Sequence, residues 1–136
     1  YPERSSDAYW HMGWMHEHEM SKVQAAIKFY EMSSKEPESL FRIAECFRKL
    51  GKQPQAIETL RTVIGFFSEQ APRAQFSIAE YYRRWGKHEE AQKAYLRVCE
   101  KYPKSAESRR AHDILEMEYK MHYTGGGVKK GEEENQ

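Results

Sequence analysis

FRIAECFRKLGKQPQA, from Phe41 to Ala56, returns 35 residues later as FSIAEYYRRWGKHEEA, from Phe76 to Ala91. Eight of the sixteen positions are identical: Phe41/Phe76, Ile43/Ile78, Ala44/Ala79, Glu45/Glu80, Arg48/Arg83, Gly51/Gly86, Lys52/Lys87 and Ala56/Ala91. That is an internal repeat, and a repeat of this length is one supersecondary unit stacked on its neighbours. The spacing has a mechanical reading. A small residue in a first helix (Ala44, Ala79) lets a second helix approach closely. A small residue in the second helix (Ala56, Ala91) does the same from the other side, and Gly51 or Gly86 makes the reversal between them. A large residue four positions on (Leu60, Tyr95) fills the space between pairs.

Working outward, the same helical periodicity covers most of the chain. Ser5, Ser6 and Asp7 have the chemistry of N-caps, which predicts a first helix over about Asp7–Glu19. Tyr1-Pro2 reads as the end of an earlier helix. Ser21 and Gln24 have capping-box spacing and open a second helix, with Val23, Ala26, Ile27 and Tyr30 inward. A third helix is expected over about 37–50, with Leu40, Ile43, Ala44 and Phe47 inward. A fourth follows Pro54 and buries Ala56, Leu60, Val63 and Ile64. A fifth opens at Pro72 with Ile78, Ala79 and Tyr82 inward. A sixth carries Ala91, Ala94, Tyr95 and Val98 and stops before Pro103. A last helix, about 105–123, has a narrow stripe of Ala111, Ile114 and Leu115 and a broad polar face, the profile of a cap on a stack.

The expected fold is thus all-α: about three helix-turn-helix repeats, near 5–37, 38–71 and 72–103, within a domain spanning 1–123. The segment 124–136, TGGGVKKGEEENQ, reads as a flexible charged tail. If ordered, it is expected to be held by something outside the domain.

Composition narrows the functional classes. The chain has 136 residues, 32% of them charged, with a net charge of +1. That balance argues against a strong electrostatic bias towards nucleic acid or membrane lipid. No apolar run approaches the roughly 18 residues of a membrane span. The sequence opens on Tyr1 rather than Met, read here as an upstream piece missing from it, so the lack of a visible signal segment carries no weight. Cys46 and Cys99 form neither a disulfide framework nor a metal pattern and are expected as buried thiols. There is no CxxC, HExxH or GxSxG, and the GGG of the tail precedes no helix. No enzymatic activity and no cofactor are expected.

The repeat resembles the tetratricopeptide repeat (TPR). The family's motif residues fall on Leu40, Ile43, Ala44, Phe47, Gly51, Ala56, Leu60 and Val63. In the next unit they fall on Ile78, Ala79, Tyr82, Gly86, Ala91, Tyr95, Val98 and Pro103. In the first unit they fit Met12, Gly13, Ala25, Phe29, Met32 and Pro37, with Ala26 an alternative to Ala25. There Met20 stands where the turn glycine belongs, and the step from Gly13 to Ala44 is only 31 residues. The resemblance implies a right-handed α-solenoid whose first helices line a concave groove. The junction AYLRVCEKYPKSAESRRAHDIL is also similar to one common in bacterial cell-envelope members of the family, a lean towards the periplasm or envelope.

By that resemblance the partner-binding candidates are Trp10, Trp14, Phe41, Glu45, Arg48, Lys49, Phe76, Glu80, Arg83 and Arg84, with Glu17 and His18 beside them. Aromatics and arginines are what interaction hot spots favour, so an extended or helical peptide with apolar and acidic residues is the expected ligand. The competing reading is structural: Glu45 with Lys49 and Glu80 with Arg84 stand at i,i+4 and can pair along their own helices, and Phe41 and Phe76 can be core. A TPR subfamily clamps carboxylate chain ends with Lys and Asn, but the matching places here hold Phe and Glu.

The expected function is a non-catalytic protein-binding scaffold or accessory subunit of a larger assembly, acting through groove and tail. The alternative is an RNA-binding helical repeat, prompted by the 35-residue period and the Arg48, Lys49, Arg83, Arg84 edge but opposed by Glu45 and Glu80 among them. HMGWMHEHEM, 11–20, raises a third possibility. His11, Met15 and His18 share one helical face and Met12, His16 and Met20 another, and imidazole with thioether suits copper. Core packing of Met12 and His16 is the expectation preferred over metal.

Overall fold

The computed structural model describes residues 2–124 and 127–130. The helices are α1 (Pro2–Glu17), α2 (Val23–Ser33), α3 (Glu38–Lys49), α4 (Gln53–Phe66), α5 (Ala71–Arg84), α6 (His88–Lys101) and α7 (Ala106–Met117). The expected all-α helical repeat is what forms, with one small addition at its end. The chain divides into two compact units, the first ending at Gln70 and the second starting at Ala71.

In the first unit α1 packs on α2, α2 on α3 and α3 on α4. The core gathers Val23, Ala26, Ile27, Tyr30, Ile43 and Cys46, with Trp10, Phe47 and Leu50 packed against it. Ala44, Ala56 and Leu60 have no exposed surface, as the close-approach reading requires. Gly51 adopts φ +76 at the α3–α4 reversal, a conformation that costs glycine little and an L side chain about 1–2 kcal/mol.

The first pair departs from expectation in three ways. Pro2 lies in the first turn of α1 rather than ending an earlier helix, a place that tolerates its missing N–H. Ser5, Ser6 and Asp7 lie inside α1 and cap nothing. Ser6 Oγ instead donates to the Ser33 carbonyl, and Asp7 pairs with Lys35, so both hold the far end of α2. The Ser21–Gln24 capping box does not form either. A 3₁₀ turn over Met20–Lys22 precedes α2, and Lys22 makes no side-chain cap. That turn replaces the glycine reversal and moves α2 on by one residue. Ala26 is therefore the buried packing residue while Ala25 stays half-buried, and Tyr30 falls where Leu60 and Tyr95 fall in the other pairs. Met12, expected inside, is 40% exposed.

In the second unit α5 packs on α6 and α6 on α7. Ala79, Ala91, Tyr95 and Val98 are fully buried. Gly86 repeats the positive φ, at +83. Ser105 caps α7 by accepting from the Ser108 N–H at 3.0 Å, and Ala111 and Leu115 are its buried stripe. Leu40, Phe47, Ile64, Tyr82 and Ile114, expected inside, are only half-buried.

The expected run of the last helix to Tyr123 is corrected: α7 stops at Met117. Strand β1 (Met121–Thr124) then pairs antiparallel with β2 (Gly127–Lys130), Met121 opposite Lys130 and Thr124 opposite Gly127. β1 rests on α7, and Met121 is buried. Part of the segment expected as a tail is thus strand, while 131–136 lie outside the described residues. Among the described residues no helix is long and apolar enough to cross a membrane.

Candidate functional site

In the first unit, the site is built around a carboxylate. α1 carries Glu17 at its last position, and its side chain has no exposure. Tyr30 Oη donates to Glu17 Oε1 at 2.7 Å. Arg42 Nε donates to the same oxygen at 3.0 Å, and Arg42 Nη2 reaches Oε2. Lys49 Nζ donates to Oε2 at 2.8 Å. Burial alone pushes this carboxyl up, but the bonds from Arg42, Lys49 and Tyr30 together outweigh it and hold Glu17 below its ordinary value. Burial and the facing carboxylate raise the Tyr30 phenol. A buried charge of this kind is tolerable only when its lone pairs are filled, and here three donors from two other helices fill them.

Around it, Trp10 is half-buried with its ring against the edge of Tyr30, centroids 5.1 Å apart. Trp14 is 50% exposed and lies against His18, centroids 4.0 Å apart. Phe41, expected to face a partner, is buried at 7% exposure. Arg48 Nε donates to both Glu45 oxygens at 3.1 Å. The pairing along α3 is therefore i,i+3 rather than the expected Glu45–Lys49, because Lys49 is drawn to Glu17.

The second unit repeats part of this chemistry. Tyr95 Oη donates to Glu80 Oε1, and Arg83 Nη2 donates to Glu80 Oε2 at 3.0 Å. Arg83 Nη1 also reaches Glu118 at 2.6 Å. Again the pair is i,i+3, which leaves the expected partner Arg84 exposed. Phe76, like Phe41, is buried (6%), with its ring against the edge of Tyr95 and the Arg110 guanidinium 4.4 Å above its face. At the end of α5, Tyr82 and Trp85 stack with 6° between planes, and the Lys87 ammonium lies 5.3 Å over Trp85.

The predicted basic edge is thus largely neutralised: Arg48, Lys49 and Arg83 each meet a carboxylate. Arg42 and Trp85 were missed by sequence reasoning. Position 77, the repeat equivalent of Arg42, holds Ser, so periodicity could not single it out. An open depression of about 310 Å³ in the first unit, lined by Pro37 and 66–70, includes none of the predicted site residues. Cys46 and Cys99 are free and buried. His16 and His18 each donate Nδ1 to a carbonyl one turn back, Met12 and Trp14, at 2.7 Å.

Two stretches, 38–68 and 73–105, match a family model described as tetratricopeptide repeat. No curated protein matches the chain.

Proposed function

Taking as premise that the chain is a tetratricopeptide-repeat protein, a kind of repeat that generally mediates protein–protein interaction, we propose a non-catalytic binding scaffold or accessory subunit within a larger assembly. The first helix of each pair supplies the contact residues. In the first unit these are Trp14 and the outer parts of Trp10, Glu45, Arg48 and Lys49. In the second they are Arg84 with the rims of Glu80 and Arg83. Phe41 and Phe76 support these surfaces from beneath. The observation that carries the reading is Trp14: a tryptophan half in water on a first helix, with no core to fill, is the side chain most enriched at interface hot spots. The partner is a protein segment with apolar anchors and carboxylates, the latter for Arg84.

The RNA alternative is less favoured, since three of the four cations that suggested it, Arg48, Lys49 and Arg83, are held by Glu45, Glu17 and Glu80. The cell envelope of a bacterium remains the proposed setting, supported only by the Tyr102-Pro103 junction. The test is copurification from the native source, followed by mass spectrometry, for the wild type and for Trp14→Ala/Arg84→Glu. Partners retained by the wild type and lost by a variant of unchanged melting temperature support the proposal. An identical set of retained proteins overturns it.

A further inference from the structure

Three residues at the end of the first helix remain unused by that reading: His11 and Met15 within α1, and His18 immediately after it. They stand at i, i+4 and i+7, and the His18 backbone N–H still donates to the Trp14 carbonyl at 3.2 Å. His18 thus prolongs the helical stripe by one residue, with the thioether between two imidazoles in sequence. All three are exposed, Met15 to 65%. A methionine so placed is not filling a gap in a core, the use that ordinarily explains the residue. We propose that this stripe binds one soft monovalent cation, of the copper(I) and silver(I) class.

The imidazole of His18 is already arranged for it. Its Nδ1 donates to the Trp14 carbonyl at 2.7 Å, so the lone pair sits on Nε2, and the ring is steadied by Trp14. A fixed tautomer with the other nitrogen tied to a carbonyl is how ligating histidines are commonly held. The electrostatics are permissive. Between Ala8 and His18 the only formally charged side chain is Glu17, which is buried and turned to Arg42 and Lys49. No Lys or Arg in this stretch repels a cation, and Asp7, though engaged by Lys35, lies one turn before His11 and within electrostatic reach of it.

The donor set chooses the ion. Among the described residues no three His, Cys, Asp or Glu side chains cluster to hold a metal. A hard or borderline divalent ion therefore lacks a complete set here, whereas two imidazoles and a thioether suit a soft one. The second stripe does not compete: His16 is half-buried against Phe29.

The probe is silver nitrate in chloride-free buffer at pH 7, added to the full chain carrying ¹³C-methyl methionine. Of six methionine methyl signals, that of Met15 is expected to shift and to saturate at one equivalent, with quenching of tryptophan emission. Met15→Leu keeps an apolar helix former. It is expected to weaken silver binding roughly tenfold or more, since even outer partners of metal ligands are worth roughly 10–100-fold, while helix content and melting stay unchanged. His18→Gln is expected to do the same. Zinc nitrate is expected to leave the Met15 methyl where it is. Silver uptake that leaves that methyl unmoved, as capture by Cys46 or Cys99 would, overturns the proposal. So does undiminished affinity in Met15→Leu, or a Met15 shift with zinc.

Discussion

Tyr30 Oη donates to Glu17 Oε1 at 2.7 Å across the α1–α2 pair, and the other oxygen of the same carboxylate takes Arg42 and Lys49 from α3. One side chain therefore ties three consecutive helices. Removing one member of a fully buried ion pair costs about 3–5 kcal/mol. Arg42 and Lys49 keep 32% and 31% of their side chains in water. Glu17→Gln is therefore expected to cost less, about 2–3 kcal/mol. Urea unfolding checks this. A loss below about 0.5 kcal/mol, the scale of an ordinary surface change, would show that the cluster holds nothing together.

The same carboxyl sets an acid limit. Its folded pKa lies below the ordinary 4.5, so the unfolded chain takes up the proton first as pH falls. The stabilisation is whole above the ordinary carboxylate range and is lost as pH drops through the lower folded value. Wild type and Glu17→Gln are thus expected to differ most near neutrality and to converge below that value. A difference that stays constant from pH 7 down through the carboxylate range would contradict the assignment.

Gly13 and Gly65 should answer oppositely to alanine. A Cβ on Gly13 would stand 2.8 Å from Tyr30 Cδ1. That ring cannot yield easily, being fully buried, bonded to Glu17 and met by Trp10. Overpacking of this kind costs about 1–3 kcal/mol, against a helix-propensity gain of up to about 1, so Gly13→Ala is expected to lower the melting temperature. Gly65, in α4, has nothing within 4 Å of such a Cβ. Gly65→Ala is expected to raise stability by about 0.5–1 kcal/mol. Thermal melts of the two variants separate packing from propensity.

The last two pairs were legible because their signals are local. Ala44, Ala56, Gly51 and their later counterparts lie within one period, and close packing needs small residues at those spacings. The first pair was less legible because Met20 stands where glycine makes the reversal elsewhere. Nothing in the sequence announces that a 3₁₀ turn will add a residue and choose Ala26 over Ala25. Ser6 and Asp7 misled for a related reason: a residue type suited to capping caps only when no tertiary partner claims it, and here Ser33 and Lys35 do. The Glu17 cluster joins residues 25 and 32 positions apart, beyond any periodic pattern. Residues 121–124, MHYT, are too short to show the alternation that marks a strand.

The two thiols test burial directly. Burial pushes Cys46 up to about 12, with the charge of Glu17 adding to the effect, and burial raises Cys99 as well. At pH 8 the Cys46 thiolate is then only about one part in ten thousand, and the thiolate is the reactive form. Both side chains also have no exposed surface, so a thiol reagent must wait for the fold to open. Native protein is therefore expected to release almost no chromophore from a disulfide reagent at pH 8, and both thiols should react at once in urea. Glu17→Gln is expected to quicken the reaction of Cys46, because the helices that shield it open more often and a neighbouring negative charge is gone. Cys99, in the second unit, serves as the internal reference. Rapid stoichiometric labelling of native wild type, or equal acceleration at both cysteines, would count against the link between Glu17 and the packing of α1, α2 and α3.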